Sequence, residues 1–255
     1  MPSESIRIAR ADGPTLAATL EMPDGSPRGA ALFAHCFTCT RHSKAAVAVS
    51  RELSDKGIAC LRFDFTGLGD SEGDFGADSF PADVADVTAA TAWLVNRFEP
   101  GVLLVGHSLG GAAVLAAAGE IDAVAAVATI GAPANVEHVL HQVSGDLAAI
   151  ERDGRGSVTI GGRSFEITRT FIEHLRNIDL AREVGELRRP LMILHSPTDH
   201  LVGIGNATRL FEAAMHPKSF VSLAGADHLL LREADADFAA SVIAAWAERY
   251  LCDDR

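Results

Sequence analysis

The spacing of hydrophobic positions changes near residue 29 and divides the chain into two kinds of predicted strand. Before that point, SIRIAR and TLAATLEM alternate apolar with polar residues on either side of ADGP, which predicts an opening β-hairpin. After it come short, continuous apolar runs, typical of strands buried on both faces: GAALFAH, GIACLRFDF, GVLLVGHS, AVAAVATIGAP, RRPLMILHSP and KSFVSLAGADH.

Longer segments with helical patterning alternate with these runs. They predict helices near residues 43–56, 81–98, 109–119, 203–214 and 232–251. This β–α–β–α order predicts an α/β fold, with a mostly parallel sheet and helices on both faces. The segment LGGAAVLAAAG carries no charge, so we expect an inner helix packed on the sheet.

One segment interrupts the alternation. About fifty residues separate AVATIGAP from RRPLMILHSP, too many for an ordinary connection. Its pattern predicts a helix over 136–152, a hairpin turning at Gly161–Gly162 and a second helix over 168–178. Long insertions at strand ends are commonly lids. We therefore predict one domain, residues 1–255, with a small cap inserted at about 135–188.

Composition excludes several classes of partner. The chain has 255 residues and a formal net charge of −12 at pH 7, so it should repel nucleic acid and anionic lipid. The amino terminus lacks a basic region followed by an apolar stretch, and no apolar run reaches the roughly 20 residues of a membrane-spanning helix. We expect a cytoplasmic protein without membrane or nucleic-acid partners.

The strongest chemical motif is a G-x-S-x-G at a predicted strand–helix junction. Gly106-His107-Ser108-Leu109-Gly110 follows the run GVLLV and precedes the uncharged helix. A serine on such a sharp turn exposes its hydroxyl above the sheet, and the two glycines remove side chains that would collide there. The following helix directs its amino terminus toward developing negative charge. This context favours Ser108 as a nucleophile over a serine that merely caps a helix.

A serine nucleophile needs a base that is itself oriented by an acid. For a nucleophile on this kind of turn, the chain order is serine, acid, histidine. Asp199 follows the strand RRPLMILH and His228 follows SFVSLAG, so both lie at predicted strand ends on the Ser108 side. The sequence therefore predicts a triad of Ser108, Asp199 and His228.

Three other residues compete for these roles. Asp227 adjoins His228 in sequence and is badly placed to accept a hydrogen bond from its ring. His195 and His200 lie too close to Asp199 along the chain to fit the expected order. We retain them as rival acid and rival bases.

The motifs VGHSLGG, HSPTDHLVG and GADHLL, in this order, resemble those of α/β-hydrolases with a serine nucleophile. The resemblance covers the whole chain and implies the α/β-hydrolase fold, with an eight-stranded, mostly parallel sheet. AHCFTCT, LRFDFTGLGDSEGDF, VATIGAPAN and HPKSFVSLAGADHLL resemble more closely the hydrolase domain that some bacterial proteins fuse to an OsmC-like, peroxide-reducing domain. An OsmC-like domain is accordingly a possible partner, although the chain ends at LCDDR, shortly after the last predicted helix.

The resemblance also implies an oxyanion hole. In such hydrolases one backbone N–H comes from the loop after the third strand and the other from the residue after the nucleophile. By position these are Phe37 and Leu109. The usual pattern has glycine after the loop histidine, whereas this chain has Cys36.

Cys36 and Cys39 form a C-x-x-C in that loop, and their role stays open. Structural packing, redox thiol chemistry and zinc binding are the alternatives, with packing favoured. Zinc would need further ligands such as His35 or His42, but His35 more naturally braces the loop from below. Four cysteines, at 36, 39, 60 and 252, do not indicate a disulfide framework in a chain of this length.

Weaker signals have structural interpretations. The stretch FDFTGLGDSEG lacks the third glycine of a dinucleotide-binding loop and predicts a turn anchored by Asp64. His138-x-x-His141 lacks a third metal ligand, so no metal site is predicted. One apolar set in the insertion forms either lid core or an acyl pocket: Phe165, Phe171, Ile172, Leu175 and Ile178.

Together these features predict a serine hydrolase that cleaves carboxylic esters or thioesters without a cofactor. A small uncharged acyl ester is the expected substrate, because nothing basic clusters near the site motifs. Carbon–carbon bond hydrolysis and acyl transfer use the same triad and remain alternatives. A different class, a non-catalytic or thiol-dependent partner of a peroxide-reducing domain, is disfavoured because binding alone does not need a complete triad.

Overall fold

An eight-stranded sheet forms the centre of the molecule, in a computed structural model that describes residues 2–11, 13–37, 39–74, 80–98, 101–136, 145–160 and 163–251. The strands are β1 (Ser3–Arg10), β2 (Gly13–Glu21), β3 (Gly29–Ala34), β4 (Ile58–Phe63), β5 (Val102–His107), β6 (Val124–Ile130), β7 (Arg155–Ile160), β8 (Arg163–Thr168), β9 (Leu191–His195) and β10 (Lys218–Ser222). The helices are α1 (Lys44–Asp55), α2 (Phe80–Arg97), α3 (Leu109–Ala118), α4 (Leu147–Asp153), α5 (Arg169–Asn177), α6 (Leu180–Glu186), α7 (Gly205–Ala213) and α8 (Glu233–Leu251).

The strand order is β1-β2-β4-β3-β5-β6-β9-β10. The hairpin β1–β2 is antiparallel and joins β4 in antiparallel fashion, while every other neighbouring pair in this sheet is parallel. The predicted opening hairpin and the mostly parallel eight-stranded sheet are both confirmed. The carboxyl ends of the parallel strands therefore lie along one edge, where loops can bring distant residues together.

Burial explains why the central strands are continuously apolar. All six residues of β4 and all six of β5 are buried, because helices cover both faces of the sheet. In β3, Leu32 packs with α2 and α3, whereas Phe33 points to the opposite face with α1 and α8. The alternating directions of successive side chains divide the core into two layers.

The insertion between β6 and β9 contains α4, the hairpin β7–β8, α5 and α6. Phe171, Ile172 and Leu175 of α5 are fully buried in the layer that also holds α2 and α3. Those three residues are therefore core, and Phe165 and Ile178 are partly buried against them.

The sequence described this insertion incompletely. The helix predicted over 136–152 is observed only as α4, with residues 137–144 outside the described residues, and α6 was not predicted. The turn predicted at Gly161–Gly162 also lies outside them, and the cap boundaries at 135–188 stay a prediction.

Of the helices in the described part of the chain, none combines the length and apolar character needed to cross a membrane.

Candidate active site

Ser108 occupies a sharp turn between β5 and α3. Its backbone has φ 55° and ψ −119°, in a region that residues other than glycine rarely adopt. The turn is fixed by the hydrogen bond from the Ser108 N–H to the Ile130 carbonyl, 2.8 Å long, on the neighbouring strand β6. Strained backbone at a single residue that its surroundings hold in place is typical of functional sites.

The two motif glycines permit the close packing around this turn. A Cβ on Gly110 would lie 2.3 Å from the Ala34 carbonyl oxygen and 2.4 Å from that of His35. A Cβ on Gly106 would lie 2.4 Å from the Gly110 carbonyl oxygen. The first turn of α3 therefore lies directly against the backbone at the end of β3.

His228 and Asp199 meet Ser108 from two other strand ends. The Nε2 atom of His228 lies 2.9 Å from the Ser108 Oγ, and its Nδ1 lies 2.7 Å from Oδ2 of Asp199. Asp199 follows β9 and His228 follows β10. All three side chains are buried, with residue exposures of 6%, 7% and 9% for Ser108, Asp199 and His228. The structure thus brings the three predicted triad residues together.

The surroundings of Asp199 keep it ionised. Burial alone would raise the pKa of this carboxyl group, but the hydrogen bond from His228 and the N–H groups of Val202 and Leu201 hold it below its usual value. Those two N–H groups donate to Oδ1, each at 2.9 Å. Since ionised Asp199 can only accept, the His228 Nδ1 carries the proton and Nε2 is free to accept from the Ser108 hydroxyl.

His107 supports the backbone of His228, a role that the sequence analysis did not identify. Its Nε2–H donates to the His228 carbonyl oxygen over 2.7 Å, and the two rings lie 5.4 Å apart between centroids. Burial, with a contribution from nearby His228, lowers the pKa of His107 to about 3. The neutral imidazole is therefore a fixed donor. Its position beside Ser108, one residue earlier in a buried strand, was the available signal.

The rival residues have other partners. Asp227 is exposed, and its carboxylate accepts from the N–H groups of Leu229 and Leu231. His195 is buried and donates through Nε2 to the Val202 carbonyl oxygen at 2.7 Å. His200 is exposed.

Phe37 and Leu109, the predicted oxyanion-hole residues, lie on adjoining segments. Phe37 is in the turn after β3, and Leu109 is the first residue of α3. Both are buried, and the contact of Gly110 with the end of β3 brings their two segments together. Their role as donors stays a prediction.

The loop that carries Phe37, residues 35–42, is called the oxyanion loop below. His35 fixes its start: the ring donates through Nδ1–H to the Cys36 carbonyl oxygen at 2.7 Å and accepts the Phe65 N–H at Nε2. The ring is fully buried, and burial lowers the pKa of His35 despite nearby Asp64. A neutral histidine therefore braces the loop from below.

Asp64 fixes the other end of the oxyanion loop. Its buried carboxylate accepts from the Arg41 backbone N–H at 2.6 Å, from the Arg41 guanidinium and from the Asp70 N–H at 3.0 Å. Arg41 also donates to the exposed Asp70 carboxylate. Asp64 therefore anchors the turn after β4, as predicted, and ties it to the oxyanion loop.

A disulfide joins Cys36 and Cys39 within the oxyanion loop. The sequence analysis favoured a packing role for these two residues and did not predict the bond between them. The Cys39 N–H donates to the Cys36 carbonyl oxygen over 3.0 Å and folds the chain back, which leaves the two Cα atoms 5.3 Å apart. That separation is within the range of disulfides. Bonded sulfurs cannot serve as thiolate ligands, so this state does not fit a zinc site.

The insertion between β6 and β9 contacts the oxyanion loop through aromatic rings. The Phe37 ring stacks on Phe171 of α5 with centroids 6.2 Å apart, and it lies 6.4 Å from the ring of Phe165 in β8.

His138 and His141 lie outside the described residues. Within the described ranges, no three side chains of His, Cys, Asp or Glu lie together as a metal site would require.

The sequence and the fold are similar to those of known hydrolases. The profile described as Alpha/beta hydrolase family matches residues 29–241. The esterase domain of a Rhodothermus marinus protein is 48% identical, with a TM-score of 0.81 over 98% of this chain and 100% of that one. Est1E from Butyrivibrio proteoclasticus, solved with ferulic acid bound, is 21% identical with a TM-score of 0.83, over 96% and 98% of the two chains.

A putative hydrolase from Agrobacterium vitis S4 is also 21% identical, with a TM-score of 0.78 over 97% of this chain and 99% of that one. The curated proteins include no match to the chain. These structural likenesses confirm the predicted fold.

Proposed function

Because the chain belongs to the alpha/beta hydrolase family, we propose that it is a serine hydrolase that cleaves carboxylic esters, or thioesters, through an acyl-enzyme on Ser108. The observation that carries this proposal is the continuous hydrogen-bonded series from Asp199 through His228 to the Ser108 Oγ. The similarity to a Rhodothermus marinus domain described as an esterase supports the choice of ester substrates.

In the first step the Ser108 Oγ attacks the carbonyl carbon of the ester. His228 takes the hydroxyl proton at Nε2, since its Nδ1–H is already engaged by Asp199. The carboxylate holds the imidazole in orientation and stabilises the imidazolium that forms. His228 then returns the proton to the leaving alcohol or thiol.

The attack places negative charge on the former carbonyl oxygen. The backbone N–H groups of Phe37 and Leu109 are the proposed donors to this oxygen, because they lie on the two segments that meet beside Ser108. Leu109 also begins α3, and the amino-terminal end of a helix favours negative charge. Water, activated by His228, then attacks the acyl-enzyme and releases the acid, so the scheme requires no cofactor.

The proposed substrate class is supported by charge. A small uncharged acyl ester fits a site whose charged triad member is already paired and a protein whose net charge is −12.

Association with an OsmC-like, peroxide-reducing domain stays a further proposal, supported by the sequence resemblance alone.

The first test is covalent labelling with a small fluorophosphonate, followed by intact-mass analysis and mapping of the modified peptide. One adduct on Ser108 is expected, because a triad-activated serine attacks phosphorus as it attacks a carbonyl carbon. Ser108→Ala should give no adduct, and His228→Ala should react far more slowly. Absence of an adduct on the unmodified protein, under conditions that label a known serine hydrolase, would contradict the proposal.

Substitution of the two neighbouring acids tests the triad assignment. Asp199→Asn should lower kcat for p-nitrophenyl acetate by about 10⁴-fold, because the amide favours the wrong imidazole tautomer. Asp227→Asn is the matched control and should keep kcat within about threefold, since Asp227 contacts backbone N–H groups instead of the imidazole. The reverse ranking would exclude Asp199 as the orienting acid.

Product analysis distinguishes hydrolysis from transfer by the same acyl-enzyme. Free acid should remain the main product when a short-chain alcohol is added at moderate concentration. A new ester as the main product would instead indicate acyl transfer.

A further inference from the structure

The Cys36–Cys39 disulfide spans the residue proposed to hold the oxyanion. We propose that this pair is a reversible thiol–disulfide site for low-molecular-weight thiols, and that its reduction slows acyl transfer at Ser108. The inference rests on the proposed function and adds regulation to the same site. In the oxidised state the pair fixes the turn that presents the Phe37 amide.

The contacts of the loop explain why the covalent link matters locally. The Cys36 carbonyl oxygen is held from two sides, by the His35 ring at 2.7 Å and by the Cys39 N–H at 3.0 Å. The disulfide adds a covalent link across the same turn. Arg41, which follows, is held by a hydrogen bond from its N–H to the Asp64 carboxylate. Reduction removes this link and adds a hydrogen to each sulfur, so the two side chains must separate and the turn relaxes.

The position of the disulfide gives it a local effect in addition to any stabilisation of the fold. A disulfide stabilises a fold mainly by restricting the unfolded chain, and the effect grows with the length of the loop that it closes. Here the two cysteines are separated by three positions in sequence, so the restriction of the unfolded chain is weaker than for a long loop. The effect of the link is concentrated on the peptide units between the cysteines, which include Phe37.

Exposure predicts which sulfur reacts. Cys36 is 3% exposed, whereas Cys39 is partly exposed at the surface. An incoming thiolate therefore attacks the Cys39 Sγ, and Cys36 leaves as a thiolate. Cys60 is a poor competitor, because it is fully buried and burial raises the pKa of its thiol to about 12. Cys252 lies outside the described residues.

The exchange balances with two equivalents of an external thiol. Attack of the first thiolate forms a mixed disulfide on Cys39 and releases the Cys36 thiolate, which takes up a proton. A second thiolate attacks the outer sulfur of the mixed disulfide, which releases the external disulfide and the Cys39 thiolate. Two electrons and two protons are thus transferred to the pair. Exchange with an external disulfide reverses both steps.

The test compares the oxidised full-length protein with protein reduced by 2-mercaptoethanol, a low-molecular-weight thiol that is removed without air before the assay. Thiols are alkylated and the protein is cut with trypsin, which isolates Cys36 and Cys39 together on the peptide 29–41 and leaves Cys60 and Cys252 on other peptides. Reduction should lower kcat for p-nitrophenyl butyrate by about tenfold and change KM less than about twofold, because a loosened donor costs less than the 10²- to 10³-fold of a removed one. Reoxidation should restore kcat.

Two variants separate the pair from other effects of the reductant. Cys39→Ser cannot form the disulfide, so its kcat should equal that of the reduced protein with or without treatment. Cys252→Ser is the control and should respond to reduction as the unmodified protein does. Because the disulfide closes a short loop, the thermal unfolding temperature of the reduced protein should fall by only a few degrees.

The outcomes separate this inference from the proposed function. If the peptide 29–41 carries two alkyl groups and kcat is unchanged, the disulfide does not regulate the site and the inference is wrong. If the pair stays oxidised in the folded protein at millimolar reductant, the proposed accessibility of Cys39 is wrong. Failure of the oxidised protein to form a fluorophosphonate adduct on Ser108 would instead overturn the proposed function, and the regulatory inference with it.

Discussion

The two segments that meet at the candidate oxyanion site are held in place by different means. The elbow, residues 106–110, is fixed by backbone contacts: the Ser108 N–H bonds to the next strand, and the motif glycines allow close packing. The oxyanion loop, residues 35–42, is fixed by side chains that include a buried histidine, an Arg41–Asp64 ion pair and a disulfide. One segment is rigid because of its shape, and the other because of a set of specific bonds.

This difference predicts different responses to change. Backbone packing itself has no chemical state that pH or redox conditions can alter, so filling its space should be the change that damages the elbow most. The oxyanion loop depends on a charge pair and a disulfide, so partial loss of its contacts should give partial loss of activity. The substitutions below test this contrast.

The largest loss of activity is expected from a substitution that fills space in the elbow. Gly110→Ala places a methyl group 2.3 Å from the Ala34 carbonyl oxygen, and neither backbone can move without shifting α3 or β3. We expect kcat to fall by more than about a hundredfold, because both proposed oxyanion donors are displaced. The free energy of unfolding should fall by about 1–3 kcal/mol, as for other overpacked sites. Ester hydrolysis and urea unfolding measure the two effects.

Gly119→Ala is the matched control, at the other end of the same helix. A Cβ there meets no atom within 4 Å, and the residue has right-handed helical backbone angles. Its stability should lie within about 0.5 kcal/mol of the parent, with unchanged kcat. Equal behaviour of the two variants would refute the claim that the elbow depends on close backbone contact.

A smaller loss of activity is expected from weakening the oxyanion loop. Asp64→Asn removes the charge that pairs with Arg41 while it keeps the size of the side chain. We expect kcat to fall on the order of tenfold, because the Phe37 amide loses part of its support but is not displaced by a clash. The free energy of unfolding should fall by about 3 kcal/mol, since one partner of a buried pair is left behind.

Asp70→Asn tests whether burial decides that effect. Asp70 also accepts from Arg41, but its side chain is 64% exposed. Stability and kcat should both stay close to those of the parent, since exposed ion pairs contribute little. A loss as large as that of Asp64→Asn would mean that the whole charge network, and not its buried part, supports the loop.

The smallest effect concerns stability alone and involves a histidine of the elbow. The pKa of His107 is lowered from 6.5 to about 3, so below about pH 6.5 the unfolded chain binds a proton that the folded protein does not. Acidification should therefore lower the free energy of unfolding, by about 1.4 kcal/mol per pH unit for this residue. The buried rings of His35 and His195, whose pKa values are also lowered, act in the same direction.

His107→Gln isolates that contribution, since the amide can donate in place of the ring but does not titrate. Urea unfolding at about pH 7 and about pH 5 should show a weaker loss on acidification than in the parent. Parallel losses in the two proteins would show that His107 is not responsible for the pH dependence.

The contrast between the segments also explains what the sequence could predict. Ser108 and its glycines form a local motif whose spacing alone indicates the turn, and Asp199 and His228 follow strands that were recognisable as apolar runs. The mostly parallel sheet with helices on both faces followed from the alternation of these runs with helical segments. Local pattern was sufficient because these elements are regular.

The oxyanion loop could be predicted only in part, because its partners are distant in sequence. Arg41 contacts Asp64 in the loop after β4, and Phe37 stacks on Phe171 in α5. No local spacing reveals such contacts. The disulfide was missed because C-x-x-C is compatible with packing, metal binding and oxidation until the backbone turn is known, and packing was favoured.

The proposed triad would also link activity to the completion of folding. Ser108 and His228 are separated by 120 positions in sequence, and the contact between them needs β9, β10 and the loops that follow them. Contacts between residues so far apart are expected late in folding, after the entropy of closing long loops has been overcome. Recovery of the proposed activity during refolding should therefore report assembly of the sheet's far edge, and the nascent chain should remain inactive until β10 and His228 have emerged.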